Sequence, residues 1–300
     1  MEIALEKTNS SDIAKALVRA RSAAGSPAMD MVLTLLVVTD DENVAEALKT
    51  ATTLSREHPS RVIGVVLGDG RGAAALNAKV RVGESSSGES ILLRISGELT
   101  RHAESVVLPL LLPDSPVVVW WPGKPPAVPS EDAIGQLARR RLTDSEATST
   151  PIRSLKAVAR AYEAGDTDLS WTRLTPWRAL LAAALDQSTA TVTAGTVTAG
   201  SGNPAATLLV AWLESRLKVP IASRRSDSDQ IASVVLQTRD GDVVIERIDA
   251  TSCHFSVPGS SPREVPLGAR SLAELLAEDL RRLDADDVYA DTIRHMLAER

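Results

Sequence analysis

Residues 31–68 read MVLTLLVVTDDENVAEALKTATTLSREHPSRVIGVVLG and decide the fold class of this 300-residue chain. The stretch begins and ends with runs of β-branched and leucine residues, which are typical of strands buried on both faces of a sheet. Between the two runs, Asp40–Glu42 precede apolar residues at helical spacing. A strand–helix–strand unit of this kind has parallel strands and a right-handed crossover, so the sequence predicts an α/β fold.

Two further strands and two helices are predicted in the first half of the chain. Ser90–Ser96 and Pro116–Trp121 have the patterns of strands, and Glu98–Leu112 has the pattern of a helix between them that Pro109 interrupts late. Residues 8–23 carry apolar positions at helical spacing and are followed by Gly25–Pro27, which predicts a helical arm that ends at a break. We therefore expect the sheet of this half to be mostly parallel.

The second half of the chain has a different pattern. Thr175–Asp186 predicts a helix with proline at its first position, and a later helix carries Trp212 on its apolar face, where we expect ordinary core. Ile231–Thr238 and Val243–Asp249 predict a hairpin, because Asp240-Gly241 between them suits a tight turn. These features predict an α+β domain with a mixed sheet.

A change in composition at Gly165–Asp168 is typical of a linker and supplies the predicted domain boundary. Three hundred residues are enough for two domains of ordinary size. The chain is therefore interpreted as three parts: an N-terminal helical arm at residues 1–28, an N-terminal α/β domain with a mostly parallel sheet at residues 29–166, and a C-terminal α+β domain with a mixed sheet at residues 167–300.

Charge and composition argue against several classes of partner. The chain has 33 Lys and Arg residues against 39 Asp and Glu residues, a formal net charge of −6. This balance argues against nucleic acid or an anionic membrane surface as a partner. The N-terminal residues lack the basic and apolar pattern of an export signal, and the apolar runs are far shorter than a membrane span. We therefore expect a cytoplasmic chain with no membrane and no nucleic acid partner.

Residue types that build catalytic or cofactor sites are scarce. A single cysteine, Cys253, excludes a cysteine-built metal site, and His254 beside it would point to the opposite face of a strand. Residues 68–72 (GDGRG) have GxGxG spacing rather than the dinucleotide-binding pattern GxGxxG. The sequence also lacks a GxSxG elbow and a Walker A lysine. We therefore predict no catalytic residues, no metal and no cofactor.

One loop has the composition of an anion-binding site. Gly200, Ser201, Gly202 and Asn203 follow a predicted strand and precede a predicted helix, so free backbone N–H groups would collect there. The same residues also suit an ordinary connection between a strand and a helix. The loop is therefore a possible phosphate site, and both interpretations stay open.

The aromatic residues comprise one Phe, two Tyr and five Trp, and four of the Trp lie in two short stretches. Trp120 and Trp121 end a predicted strand directly before Pro122, at the edge where α/β sheets border their ligand crevice. Trp171 and Trp177 lie close together among arginines. Exposed Trp and Arg residues anchor protein interfaces, whereas buried ones would seal the junction between the two domains.

Three segments resemble the glucose-6-phosphate dehydrogenase assembly proteins of the OpcA family: VVVWWPG at 117–123, LTDS at 142–145 and LSWTRLTPWR at 169–178. The resemblance implies a protein that is not itself an enzyme. It implies binding to glucose-6-phosphate dehydrogenase and promotion of its oligomerisation and activation, which supports the oxidative pentose phosphate pathway and NADPH supply. Cyanobacterial relatives carry cysteine pairs linked to thioredoxin. With Cys253 alone, this chain departs from that pattern, so thiol control within the chain is not expected.

The residues that match the family pattern are candidates for the partner-binding surface or for the junction between the domains: Trp120, Trp121, Pro122, Asp144, Ser145, Trp171, Arg173, Thr175, Pro176, Trp177 and Arg178. Asp144 and Ser145 would either bind a small polar ligand or cap the following turn. Arg173 and Arg178 would pair either with carboxylates of the dehydrogenase or with acids of this chain.

Two functions follow from these observations. The leading hypothesis is a non-catalytic assembly factor and allosteric activator of glucose-6-phosphate dehydrogenase. The alternative is a sugar-phosphate-binding α/β protein, either a lactonase- or isomerase-like enzyme or a degenerate metabolite sensor. The alternative rests on the loop at residues 200–204 and on Asp144 and Ser145, so the binding of a small molecule stays open.

Overall fold

The computed structural model describes residues 1–25, 31–83, 89–187 and 190–298. The chain divides into two compact units, each made of three stretches. The first unit is Met1–Asp144, Ala161–Thr167 and Leu272–Ala285, and the second is Ser145–Arg160, Asp168–Ser271 and Asp286–Arg300. The predicted end of the N-terminal arm, between residues 28 and 29, and the predicted break at Ser26-Pro27 lie outside the described residues.

The α-helices of the described residues alternate with strands in the first half of the chain and surround a second sheet later. They are α1 (Ser10–Ala24), α2 (Val44–Leu54), α3 (Ala103–Val107), α4 (Pro151–Arg160), α5 (Leu169–Thr172), α6 (Thr175–Asp186), α7 (Pro204–Leu217), α8 (Leu272–Leu280) and α9 (Asp287–Ala298). The predicted helix Thr175–Asp186 is confirmed as α6, with its proline in the first turn.

The first unit contains an eight-stranded sheet. Its strands are β1 (Glu2–Leu5), β2 (Leu33–Thr39), β3 (Ser60–Leu67), β4 (Ala75–Val82), β5 (Glu89–Ser96), β6 (Val117–Trp121), β7 (Arg140–Thr143) and β8 (Asp166–Asp168). They lie in the order β1-β4-β5-β3-β2-β6-β7-β8. The neighbours from β5 to β7 pair in parallel, whereas β4 pairs antiparallel with β1 and with β5. The predicted mostly parallel sheet is confirmed.

Helices cover both faces of this sheet. On one face, α1 and α3 bury Ile13, Leu17 and Val107 in a core that includes Ile63 and Val119 of the strands. On the other face, α2 packs against β2 and β3 and also contacts α8. β2 and β3 are buried along most of their length because helices cover both faces there, as their sequence pattern predicts. β4 and β5 instead alternate buried residues with more exposed ones.

The predicted interruption of the helix at Glu98–Leu112 by Pro109 is confirmed, but the predicted α-helix before it is wrong over most of its length. The segment is a 3-10 helix at Gly97–His102, the short α3, and a second 3-10 turn at Leu108–Leu110. Pro109 lies in that last turn and has no backbone N–H to donate, so an α-helical ladder cannot continue through it. The tighter 3-10 geometry is common where a helix begins or ends, and here 3-10 turns lie on both sides of α3.

The second unit contains a six-stranded sheet. Its strands are β9 (Val192–Gly200), β10 (Ile221–Ser226), β11 (Ile231–Thr238), β12 (Gly241–Arg247), β13 (Ser252–Ser256) and β14 (Arg263–Pro266), in the order β10-β9-β11-β12-β13-β14. β9 and β10 are parallel and the other pairs are antiparallel. This confirms the predicted α+β architecture with a mixed sheet, alongside the α/β class of the first unit.

The predicted hairpin is confirmed with its turn one residue earlier than expected. Thr238 pairs with Gly241, so the two turn residues are Arg239 and Asp240. Gly241 has a φ of +124°, a backbone conformation that favours glycine. None of the described helices is long and apolar enough to cross a membrane.

Candidate functional site

The tryptophans at the end of β6 are interior residues of the first unit. Trp120 is 0% exposed and Trp121 is 3% exposed. Trp121 belongs to the core beneath α1 and α3, and Trp120 points to the opposite face because adjacent strand residues alternate. The indole Nε1 of Trp120 is buried without a hydrogen-bond partner among the described residues. Pro122, which follows, is half-buried and lies at the edge of the sheet.

A cavity of about 300 Å³ opens where β2, β3 and β6 end, and we call it the strand-end crevice. Its lining includes Asp40, Leu67, Trp121, Lys124, Pro125 and Asp132. Asp40 and Leu67 follow or end neighbouring parallel strands, so the parallel order of the sheet brings them to one edge. Of Trp120 and Trp121, which the sequence places at a strand end that would border a crevice, Trp121 is a lining residue of this cavity.

The second tryptophan stretch forms an internal cluster of the second unit. Trp171 is 2% exposed, and its Nε1 donates a hydrogen bond to Asp286 Oδ2 at 2.8 Å. The guanidinium carbon of Arg178 lies 3.8 Å from the centroid of the Trp171 ring, a cation–π contact. The Tyr289 ring lies 5.7 Å from the same ring between centroids, tilted by 44°. We call Trp171, Arg178, Asp286 and Tyr289 the Trp171 cluster.

Helix ends hold the Trp171 cluster in place. Asp286 precedes α9, and its Oδ1 accepts a hydrogen bond from the backbone N–H of Tyr289 at 2.9 Å, while its Oδ2 receives the indole. Asp168 caps α5, since its Oδ1 accepts from Ser170 N at 3.0 Å. A carboxylate at a helix start satisfies backbone donors that have no partner within the helix. The ring orientation of Trp171 is thus set by two capped helices.

Ser145 uses its hydrogen bonds within the same unit. Its backbone N–H and its Oγ both donate to Asp168 Oδ2, at 2.9 and 2.7 Å. Asp144 and Ser145 follow β7, and both side chains are buried. Both bonds of Ser145 therefore go to the carboxylate that caps α5.

The run at residues 169–178 separates into buried and partly exposed side chains. Trp177 is 3% exposed and the guanidinium of Arg247 lies 5.8 Å from its ring centroid. Arg173, whose Nε lies 3.2 Å from Glu146 Oε2, remains half-buried. Arg178 is also half-buried and donates from Nη2 to Thr175 Oγ1 at 3.3 Å. Pro176 and Thr175 are half-buried as well, so these polar and small residues form the accessible part of the run.

The loop of Gly200, Ser201, Gly202 and Asn203 joins β9 to α7 at the surface. Asn203 caps α7, because its Oδ1 accepts from Ala206 N at 2.8 Å. Its Nδ2 donates to the carbonyl oxygen of Asp229 at 2.9 Å. The backbone N–H of Ala206, at the start of α7 where an anion would bind, therefore already donates to a side chain of this chain.

The expectation that Trp212 is ordinary core is wrong. Trp212 is half-buried on α7, whereas the other four tryptophans are buried. On α7 the buried positions are instead the small and aliphatic residues, such as Ala205, Leu208 and Leu209. Asp168 and Tyr289 are site residues that sequence reasoning missed. Asp168 precedes α5, so its capping position was a usable signal.

Within residues 1–25, 31–83, 89–187 and 190–298, no group of three His, Cys, Asp or Glu side chains is placed to hold a metal ion.

Cys253 is buried, and burial raises the pKa of its thiol. Since the thiolate is the reactive form of cysteine, we expect Cys253 to react with a thiol reagent only as fast as the protein opens. Ser228→Cys, at an exposed position, is the matched control and should react at once. Rapid labelling of Cys253 in the folded wild-type chain would contradict the structure.

Comparisons with known proteins agree on one family. A family model described as the glucose-6-phosphate dehydrogenase subunit N-terminal domain matches residues 51–160, and the model of the corresponding C-terminal domain matches residues 164–293. An OxPP cycle protein OpcA of Synechocystis is 30% identical over 142 residues, which are 43% of this chain and 29% of that protein. The match thus spans under a third of that relative's length.

A solved structure supports the fold. An oxidoreductase of Sinorhizobium meliloti superposes with a TM-score of 0.50 over 89% of this chain and 95% of that one. At 10% sequence identity this likeness shows a shared fold alone. The two family models together cover most of the chain, one on each side of residue 162. The chain belongs to the OpcA family, whose two domains are described as those of a glucose-6-phosphate dehydrogenase subunit.

Proposed function

We propose that this chain is a non-catalytic subunit that binds glucose-6-phosphate dehydrogenase and favours its active oligomer. The observation that carries the proposal is the pair of family domain models, which both refer to a subunit of that enzyme and cover most of the chain. The role places the chain in the oxidative pentose phosphate pathway, in agreement with the name of the Synechocystis relative.

The accessible part of the run at residues 169–178 is the proposed contact surface. Trp171 and Trp177 act as its internal support, since both rings are buried. Arg173 and Arg178 are half-buried residues of this surface, with part of each residue accessible to a partner. Arginine is enriched at the energetic centres of interfaces, because its planar fork binds carboxylates with two hydrogen bonds. The partner surface should therefore present acidic side chains.

The proposed mechanism is a population shift. A protein that binds the active oligomer more tightly than the inactive form shifts the equilibrium by its differential affinity alone. A tenfold difference in affinity corresponds to about 1.4 kcal/mol, which is within the usual range of allosteric coupling. No catalytic group of this chain is needed for the effect.

The test is steady-state kinetics of glucose-6-phosphate dehydrogenase from the same source across a concentration series of this chain. We expect a saturable rise in activity that follows the formation of the larger oligomer, because only binding to that form shifts the equilibrium. The matched control is this chain after heat unfolding, which should have no effect. Unchanged kinetics at every concentration would contradict the proposal.

The contact surface makes a separate prediction. Arg173→Ala combined with Arg178→Ala should raise the concentration for half-maximal activation about tenfold or more, because central interface arginines contribute most of the binding energy. Arg224→Ala changes an exposed arginine on β10 of the same unit and should leave that concentration unchanged. If the double variant is folded by circular dichroism and still activates like wild type, the run is internal structure only.

A further inference from the structure

The sheet of the first unit has a point where the chain reverses its direction of winding. From β2 the chain adds β3 and then β5 on one side, and it later returns to add β6 and β7 on the other side of β2. In open α/β sheets, ligands bind in the crevice outside the carboxyl ends of the strands at such a point. The strand-end crevice lies at the ends of β2, β3 and β6, where this rule places a ligand.

The walls and size of the crevice fit a small organic molecule. Its volume of about 300 Å³ is at the lower end of the range for ligand pockets. Leu67, Pro125 and the edge of Trp121 supply apolar walls. Leu67 is 39% exposed, which is unusual for a leucine at the end of a buried strand. An apolar surface of this kind would contact the C–H groups of a bound ligand.

The polar groups of the crevice are hydrogen-bond acceptors held in fixed orientations. Asp40 Oδ1 accepts from the backbone N–H and from the side-chain amide of Asn43, both at 2.8 Å, and its Oδ2 accepts from the same amide at 3.0 Å. Asp132 Oδ1 accepts from Ile134 N and Gly135 N, both at 3.0 Å. Because these bonds lock each carboxylate, its orientation does not have to be fixed again when a ligand binds. Oriented carboxylates favour ligands that donate O–H or N–H groups.

The same groups disfavour a phosphate. In nucleotide-binding folds the loop after the first parallel strand is glycine-rich and presents free N–H groups to the phosphate. The corresponding loop here follows β2 and reads Asp40-Asp41-Glu42. These acidic residues precede α2, where a phosphate would otherwise bind, although Asp41 pairs with Arg94 at 2.8 Å. The lining itself has two carboxylates, Asp40 and Asp132, against the exposed cation Lys124. Repulsion between like charges makes this edge unsuitable for a phosphate group.

We propose that the strand-end crevice binds a small polyhydroxylated molecule, with Asp40 and Asp132 accepting hydrogen bonds from its hydroxyl groups. The apolar walls contact the carbon skeleton, and the ligand is recognised by its hydroxyls rather than by a phosphate. The site is distinct from the surface around Arg173 and Arg178, and it does not depend on binding to the dehydrogenase.

The test is saturation-transfer NMR on the full chain, with D-glucose as the hydroxylated probe and inorganic phosphate as the anionic probe. We expect D-glucose to bind and phosphate not to bind. Asp40→Asn combined with Asp132→Asn should weaken D-glucose binding at least tenfold, because each amide replaces one acceptor oxygen with a donor. At Asp40 the change also removes the bond that Oδ2 accepts from Asn43 Nδ2. The exposed Asp114→Asn, on the loop before β6, is the matched control and should bind like wild type.

Three results would overturn the proposal. The first is that no saturation is transferred to D-glucose at any concentration. The second is that D-glucose binds the double variant as tightly as it binds the wild-type chain. The third is that phosphate binds as strongly as D-glucose. Circular dichroism of the double variant and of Asp114→Asn should be superimposable, since asparagine is as good a helix cap as aspartate. If the double variant is unfolded, competition for wild-type D-glucose binding by myo-inositol, a second polyol, decides the question, and absence of competition counts against the site.

Discussion

Trp171→Ala is expected to lower the free energy of unfolding of the second unit by about 3–5 kcal/mol. The ring is 2% exposed, so its removal leaves a cavity in a packed interior. The variant also removes the donor to Asp286 and the ring beneath Arg178. Urea unfolding followed by circular dichroism measures the loss.

Trp212→Ala is the matched control for this prediction. It removes the same side chain from a half-buried position on α7, so less than half of that loss is expected. The comparison separates the burial of a particular ring from the general cost of removing a tryptophan. Equal losses for the two variants would contradict the placement of Trp171 in the interior.

Glu89→Gln is expected to lower the free energy of unfolding of the first unit by about 3 kcal/mol. Glu89 is buried between two arginines. Its Oε2 accepts from Arg61 Nε at 3.0 Å and from Arg21 Nη2 at 2.9 Å, and its Oε1 accepts from Arg21 Nε. Burial lowers the pKa of Arg61, and the charge of the neighbouring Glu89 carboxylate opposes that shift. A neutral amide of the same shape leaves both cations without a counter-charge.

Glu46→Gln is the matched control for the buried carboxylate. Glu46 pairs with Lys49 one turn later on α2, and both side chains are exposed. Exposed pairs of this type contribute about 0.3–0.5 kcal/mol, so a small change is expected in the same urea titration. A loss at Glu89 no larger than that at Glu46 would show that the buried charge group does not stabilise the first unit.

The fold was predictable where apolar patterns are strong and local. β2, β3 and β6 are mostly apolar runs, β5 alternates apolar and polar residues, and the Asp-Gly dipeptide marks the hairpin between β11 and β12. β8 has no such pattern, because its sequence is Asp-Thr-Asp and is typical of a linker. Its carboxylates are buried with partners distant in sequence, Arg141 for Asp166 and Ser145 for Asp168. Partners of this kind cannot be identified from composition or spacing.

The candidate site was predictable in its residues and less so in their exposure. The family pattern selects Trp171, Trp177 and Arg178, but the same pattern suits an interface anchor or an internal support. The indole of Trp171 is satisfied by Asp286, which lies 115 residues away in the sequence. Trp212 has an apolar helical context and is nevertheless half-buried, because smaller residues on α7 fill the interior.

Native mass spectrometry of this chain mixed with glucose-6-phosphate dehydrogenase from the same source tests the central claim most directly. The account predicts a species whose mass is the sum of this chain and the dehydrogenase oligomer, and a larger share of that oligomer than in the dehydrogenase alone. If the two proteins keep their separate masses at every mixing ratio, with the dehydrogenase oligomer unchanged, the account is contradicted.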